Sequence, residues 1–249
     1  MIDTEIPGVE RRVSVYSEPG VLPMAVAYII KSPFEGDVSE IAGGLAKKGA
    51  VVCCIEANGG VDTDLCGEIT KLNEAVRKKY RMLPCIMYGI GLGAAYLRDY
   101  LDKNHGIADG AVFDRMPSRI ENDVSVMRSL KIVSFFGKNK PACKKNLSAV
   151  LSAIDFDDKT GFTLTNSDCL ALSKLITGPE LTEWAGGIPK SLPIFIVSEK
   201  ENDTGADALF DALDGAEICS LSHGKRSEVV GEWLNEVCDG VVCMRRLSL

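Results

Sequence analysis

The segment Pro84-Cys-Ile-Met-Tyr-Gly-Ile-Gly-Leu-Gly-Ala-Ala-Tyr96 decides the fold. Residues 84–88 form a short apolar run that reads as a buried strand, and residues 93–101 read as a helix. Between them lies Gly89-Ile-Gly-Leu-Gly93, with glycine at alternate positions. A strand–turn–helix carrying Gly-x-Ser-x-Gly holds its serine on a sharp turn, where the hydroxyl is exposed as a nucleophile. Here the middle residue is Gly91, which has no side chain to attack with. The pattern predicts the backbone of a nucleophile elbow without its chemistry.

The same alternation of strand and helix extends to both sides. Residues 12–16 (RVSVY) and 24–30 (MAVAYII) are β-rich, with Pro19, Gly20 and Pro23 between them, and read as neighbouring strands joined by a turn. Residues 38–48 have helical spacing through Ile41, Ala42 and Leu45, with Gly49 as the stop. Residues 51–55 read as a buried strand, and residues 64–79 as an amphipathic helix with Leu65, Ile69, Leu72 and Val76 on its apolar face. Residues 111–113 close another strand, ending at Asp114. From Arg115 the pattern degrades into helical pieces at 125–131 and 144–154 and a polar loop at 155–160. It resumes with a strand at 193–197, a helix at 206–213, a strand at 217–221 and a helix at 227–237. This order implies one α/β domain over 1–249, a mostly parallel central sheet flanked by helices. A helical insertion at 115–187 is expected to lie over the C-terminal edge of that sheet.

Composition bounds the function. A chain of 249 residues with 46% hydrophobic content buries a full core. The net charge of -7, with both signs interspersed, argues against a nucleic-acid surface, and the locally basic run at 138–145 reads as a solvated loop. No apolar stretch is long enough to span a bilayer. The N-terminus does not read as a secretory signal, so a cytoplasmic location is expected. The nine cysteines sit mostly in apolar runs (Cys53, Cys54, Cys85, Cys219), form no Cys-x-x-Cys pair, and read as reduced small hydrophobes. With only two histidines, His105 and His223, a histidine-rich metal site is ruled out. Neither metal nor cofactor is expected.

The residue order resembles the monoacylglycerol lipase and lysophospholipase-like branch of the α/β-hydrolases. Ile41-Ala-Gly-Gly-Leu-Ala-Lys-Lys-Gly49 and the strand after it resemble that branch's helix and strand following its oxyanion loop. Gly161-Phe-Thr-Leu-Thr-Asn166 resembles a segment near the end of its lid, and Ile188-Pro-Lys-Ser-Leu-Pro-Ile-Phe-Ile-Val-Ser198 its strand before the acid loop. The resemblance implies an α/β-hydrolase fold with a short helical lid and a lipid-like or acyl small molecule as ligand. It places the nucleophile on Gly91, the acid on Glu201 within Glu199-Lys-Glu-Asn202, and the base on Ser227 within Gly224-Lys-Arg-Ser-Glu228. The family's oxyanion strand ends in His-Gly, where this chain has Ile29-Ile30 or Lys31-Ser32. The implied ligand pocket is lined by Ile30, Lys31, Gly89, Ile90 and Leu92. A serine attacks only if a base takes its proton, so a chain lacking both keeps only binding. Backbone N–H groups after the elbow need no side chain and can still hold an anion. The expectation is a binding or regulatory pseudoenzyme.

Two other readings place chemistry at the same residues. Catalysis rebuilt around Ser32 or Cys54, with His223 and Asp114, would make the chain an active ester hydrolase, although no local signature marks such a triad. Alternatively, Gly89-x-Gly91-x-x-Ala94, with Asp114 about twenty residues beyond it, satisfies a dinucleotide-binding fingerprint. That reading requires Asp114 to face a ribose. A third reading makes the chain an interaction protein. Val133, Phe135, Phe136, Leu147 and Val150 of the insertion would cover an acyl pocket or bind a partner, although apolar residues at helical spacing are usually core.

Overall fold

Two apolar strands, β3 (Ala25–Lys31) and β5 (Cys85–Ile90), are buried along nearly their whole length and therefore need cover on both faces and both edges. They lie at the centre of an eight-stranded sheet whose other members are β1 (Ile2–Thr4), β2 (Val13–Tyr16), β4 (Ala50–Glu56), β6 (Gly110–Asp114), β7 (Ile194–Ser198) and β8 (Glu217–Ser220). This computed structural model describes the chain except residues 1, 5, 7, 58–63, 121–122, 155–162, 200–202, 222–224 and 248–249. The strand order is β1-β2-β4-β3-β5-β6-β7-β8. The strands from β4 to β8 across the sheet are parallel, while β1 and β2 form an antiparallel edge.

Adjacency in sequence does not give adjacency in the sheet for the first two long strands, contrary to expectation. The segments holding β2 and β3 are not neighbours, because β4 lies between them, antiparallel to β2 and parallel to β3. The half-buried β2 tolerates a position near the sheet edge, whereas the fully apolar β3 takes β4 and β5 as partners on its two sides.

Successive side chains of each strand point to opposite faces, which splits the core in two. Ala25, Ala27 and Ile29 join α1 (Ser39–Lys47) and α9 (Arg226–Leu247) on one face. Val26, Tyr28 and Ile30 join α2 (Leu65–Lys79), α3 (Leu92–Asn104) and α8 (Thr204–Ala212) on the other. Four helices lie between β6 and β7: α4 (Asp123–Gly137), α5 (Lys144–Ala153), α6 (Asn166–Thr177) and α7 (Leu181–Gly187). Their inner residues, among them Leu130, Val150 and Leu172, extend the second core. Local signals set several boundaries. Thr165 and Asp168 form a reciprocal capping box at the start of α6, and Asp203 caps the N–H groups of Gly205 and Ala206 in α8.

α3 crosses β3 closely. A Cβ on Gly93 would stand 2.0 Å from the carbonyl oxygen of Ile30, with backbone on both sides of the clash. Gly93→Ala is therefore expected to cost roughly 1–3 kcal/mol, as overpacking in a tight core does. Urea unfolding checks this, and an unchanged midpoint would mean that the two elements are not so close.

Candidate functional site

The turn from β5 into α3 is where the sheet presents its chemistry. Gly91 sits at φ 56, a left-handed conformation costly for most side chains. Its N–H donates to the Asp114 carbonyl at 2.8 Å, tying the turn to the end of β6. A Cβ on Gly89 would lie 2.6 Å from Ala94 Cα. Gly89 and Gly93 are thus required by close backbone approach, and Gly91 by its dihedral. The result is a sharp strand-to-helix turn with a glycine at its apex.

Another carboxylate fills the space over Gly91. A Cβ there would stand 2.5 Å from Glu35 Oε1. Glu35 ends a short 3-10 turn, Pro33–Glu35, that follows β3 and is capped by the buried Ser32. Its Oε1 accepts from the Leu92 N–H at 2.7 Å, and its Oε2 accepts from the Ser32 hydroxyl at 2.5 Å and from the Ser32 N–H. The Leu92 N–H belongs to the first turn of α3 and has no partner inside the helix. In an active elbow, the N–H after the nucleophile is one oxyanion donor, and the loop after β3 supplies the other. Both donors here hold an internal carboxylate at the positive end of a helix. Burial raises the Glu35 carboxyl above its ordinary value, against the lowering pull of the Ser32 hydroxyl, the two N–H groups and Arg115.

The other side of the site is an ion cluster. Asp114 is fully buried at the end of β6, and its Oδ2 accepts from the Tyr88 hydroxyl at 2.7 Å. Its Oδ1 lies 3.7 Å from Arg226 Nε and 3.8 Å from Arg115 Nε. Arg226, at the start of α9, is 1% exposed and closes a second ion pair with Glu199, just after β7. Arg115 Nε lies 4.0 Å from the same Glu199 oxygen. Arg115 is also the only non-glycine residue at positive φ among the described residues, and such strain gathers at functional sites. Desolvation raises the Asp114 carboxyl, with Arg226, Tyr88 and Arg115 pulling it back down. A cleft of about 240 Å³ lies between the two halves, lined by Phe34, Glu35, Gly91, Arg115, Glu199 and Thr204 among others.

The residues singled out from the sequence are distributed as follows. Gly89, Ile90, Gly91 and Leu92 form the elbow, and the Ile30 carbonyl packs beneath Gly93. Lys31 points elsewhere, pairing with Glu56 and donating to the Gly36 carbonyl at 3.0 Å. Ser227 does not face the elbow. It is half-buried against α1, where a Cβ on Gly44 would lie 2.3 Å from its own, and the adjacent Arg226 turns toward Asp114 instead. Ser32 donates its hydroxyl to Glu35. Cys54 is buried in β4, its thiol pushed up to about 12 by burial. Asp114 is absent from the cleft lining, and the α3 N–H that a phosphate would need is held by Glu35. Glu201 and His223 lie outside the described residues, as does part of the 161–166 segment. Among the described residues, no group of three or more His, Cys, Asp or Glu side chains is arranged to hold a metal ion.

Glu35, Arg115 and Arg226 escaped the sequence reading. Only Glu35 had a local signal, since Ser32-Pro-Phe-Glu35 has the capping-box spacing with proline at the first helical position.

The fold agrees with solved structures. A highly thermostable carboxyl esterase from Bacillus coagulans, in complex with glycerol, superposes at a TM-score of 0.73 and 14% identity, over 95% of this chain and 98% of that one. A lipase in its open form gives 0.74 at 14% identity, over 92% and 94%. A soluble variant of monoglyceride lipase from Saccharomyces cerevisiae, bound to a substrate analog, gives 0.62 at 12% identity, over 95% and 94%. No family model matches the sequence, and no curated protein does. The chain has the α/β-hydrolase fold, and at these identities the likeness concerns the fold alone.

The raised Glu35 carboxyl has a pH consequence of definite sign. When the folded value exceeds the unfolded one, the native state holds the proton more tightly, so the group's contribution to stability is full below the unfolded value and is lost as pH rises through the folded one. The stability of the wild type relative to Glu35→Gln is therefore expected to fall as pH rises through and above the ordinary glutamate range. Urea titrations of both proteins across that range provide the check, and a difference growing in favour of the wild type with pH would contradict the assignment.

Proposed function

We propose that this α/β-hydrolase-fold protein does not hydrolyse esters at its elbow and acts as a binding or regulatory pseudoenzyme. One observation carries the proposal: the Glu35 carboxylate sits across the Leu92 and Ser32 N–H groups, in the space a nucleophile's side chain would need. A substrate carbonyl polarised by those donors would have to displace an anion already hydrogen-bonded to them. The ion cluster supports the same reading. Asp114 and Glu199 stand at strand ends where an acid could orient a histidine, and both are engaged by the permanently charged Arg226. A guanidinium cannot take a proton from a nucleophile.

A pseudoenzyme can keep the ligand class while losing the reaction. The structural neighbours are named as esterases and lipases, which makes a lipid-like or acyl small molecule the first class to test. No described helix is long and apolar enough to cross a membrane. The eight described cysteines are thiols and not disulfides, which fits a reducing compartment such as the cytoplasm. The insertion of α4 to α7 serves as the lid over the cleft in this reading.

Purified protein offered fluorogenic short- and medium-chain esters is expected to show no turnover above buffer. Ser32→Ala and His223→Ala serve as controls. Turnover that disappears in both variants would mean that catalysis has been rebuilt around new groups, and the proposal would fail.

A further inference from the structure

The helix α4 turns its largest apolar side chains outward. Phe135 and Phe136 are 84% and 79% exposed, Val124 is 68% and Ile132 is 55% exposed. Phe135 and Phe136 are therefore not part of the core, whereas Leu147 and Val150 are buried, as apolar residues at helical spacing usually are. The two rings pack edge to face with centroids 5.2 Å apart, forming one protruding apolar knob. At about 100° per residue, Val124, Arg128, Lys131, Ile132, Phe135 and Phe136 fall on one arc of about 140°. Val126 and Leu130 lie on the opposite side and enter the core. The helix thus has two apolar faces, and the fold uses only the inner one.

The outer face carries cations. Residues 123–145 contain six basic side chains and one acidic, in a chain whose net charge is -7. Asp123, the acidic one, is already paired with Arg119 at 2.8 Å. Arg128 and Lys131 share the arc with the phenylalanines, and Lys138 and Lys140 follow within a few residues, all of them exposed. Lys144 and Lys145 open α5, where the helix dipole disfavours positive charge. None of these six cations is ion-paired among the described residues, so the fold draws little from them.

We infer that the outer face of α4 and the basic link to α5 dock on an anionic lipid bilayer. Phe135 and Phe136 enter the headgroup boundary while the surrounding cations meet lipid phosphates. A protein partner would need an acidic depression shaped to the protruding ring pair. A bilayer supplies an apolar layer just beneath an anionic surface with no demand on shape. Interfacial binding strengthens with buried apolar area and with electrostatic attraction to anionic lipids, and this face offers both. The inference does not depend on the chemistry at the elbow.

The test is sedimentation of the full chain with vesicles of phosphatidylcholine alone or with about one-third phosphatidylglycerol. Association with the anionic vesicles is expected, weakening as salt rises to about 0.5 M. Phe135→Ser combined with Phe136→Ser should lower partitioning about tenfold or more, because it removes the apolar anchors. Lys131→Glu combined with Lys138→Glu should lower it by a similar factor. All four positions are exposed, so both variants should keep the wild-type thermal melt, which circular dichroism verifies. Failure to bind anionic vesicles would overturn the inference, as would equal binding to neutral ones or binding that survives loss of the phenylalanines. A lipid-free oligomer that dissociates in the Phe135→Ser/Phe136→Ser variant would also overturn it and reassign the face to a protein interface.

Discussion

The Glu35 carboxylate joins two elements that the sheet topology leaves separate. One oxygen takes a donor from the first turn of α3, and the other takes two from Ser32, the residue that follows β3. The strand and the helix are already close, since Gly93 lies against the Ile30 carbonyl. At that separation the N–H groups of the turn would converge on empty space or on a ligand. A carboxylate with two hydrogen-bonded oxygens fits such converging donors because charge-assisted hydrogen bonds are strong ones. The cost is desolvation, visible in the raised carboxyl. Gly91 follows from this arrangement as much as from its dihedral, because any side chain there would meet Glu35.

The ion cluster across the cleft obeys a related constraint. Removing Asp114 or Arg226 alone would strand a buried charge, whereas the pair together adds little net stability over an apolar isostere. The cluster mainly sets position. Arg226 holds the first turn of α9 against the ends of β6 and β7, and Tyr88 fixes the second oxygen of Asp114. With Arg115 between them, the strand ends that could present an acid and a base present a closed ion network instead. The cleft left between this network and Glu35 is small and charged on both walls.

Much of the architecture was legible because period and punctuation agree. Leu65, Ile69, Leu72 and Val76 mark α2, and the alternate glycines mark the elbow. The pairing of β2 was not legible, since adjacency in sequence does not reveal that β4 inserts between two segments. Glu35 reads locally as a turn former. Its contact with Leu92, 57 residues away, exists only once β3 and α3 meet. Arg226 was hidden by a single residue, because one step at a helix start rotates a side chain by about 100°. That step separates Ser227, packed on Gly44, from Arg226, packed on Asp114. The place of Phe135 and Phe136 was not legible, because helical spacing alone does not tell an inner apolar stripe from an outer one.

Amide hydrogen exchange at Leu92 and Ser32 tests the central claim most directly, comparing the wild type with Glu35→Ala. The first-turn position of Leu92 gives its N–H no helical acceptor, and its partner in the structure is the Glu35 carboxylate. The account predicts that both amides are protected in the wild type and exchange much faster in the variant, while the core of α3 is unchanged. Equal protection in the two proteins would show that Glu35 does not hold the Leu92 and Ser32 N–H groups, and the proposed loss of hydrolysis would then rest on Gly91 alone.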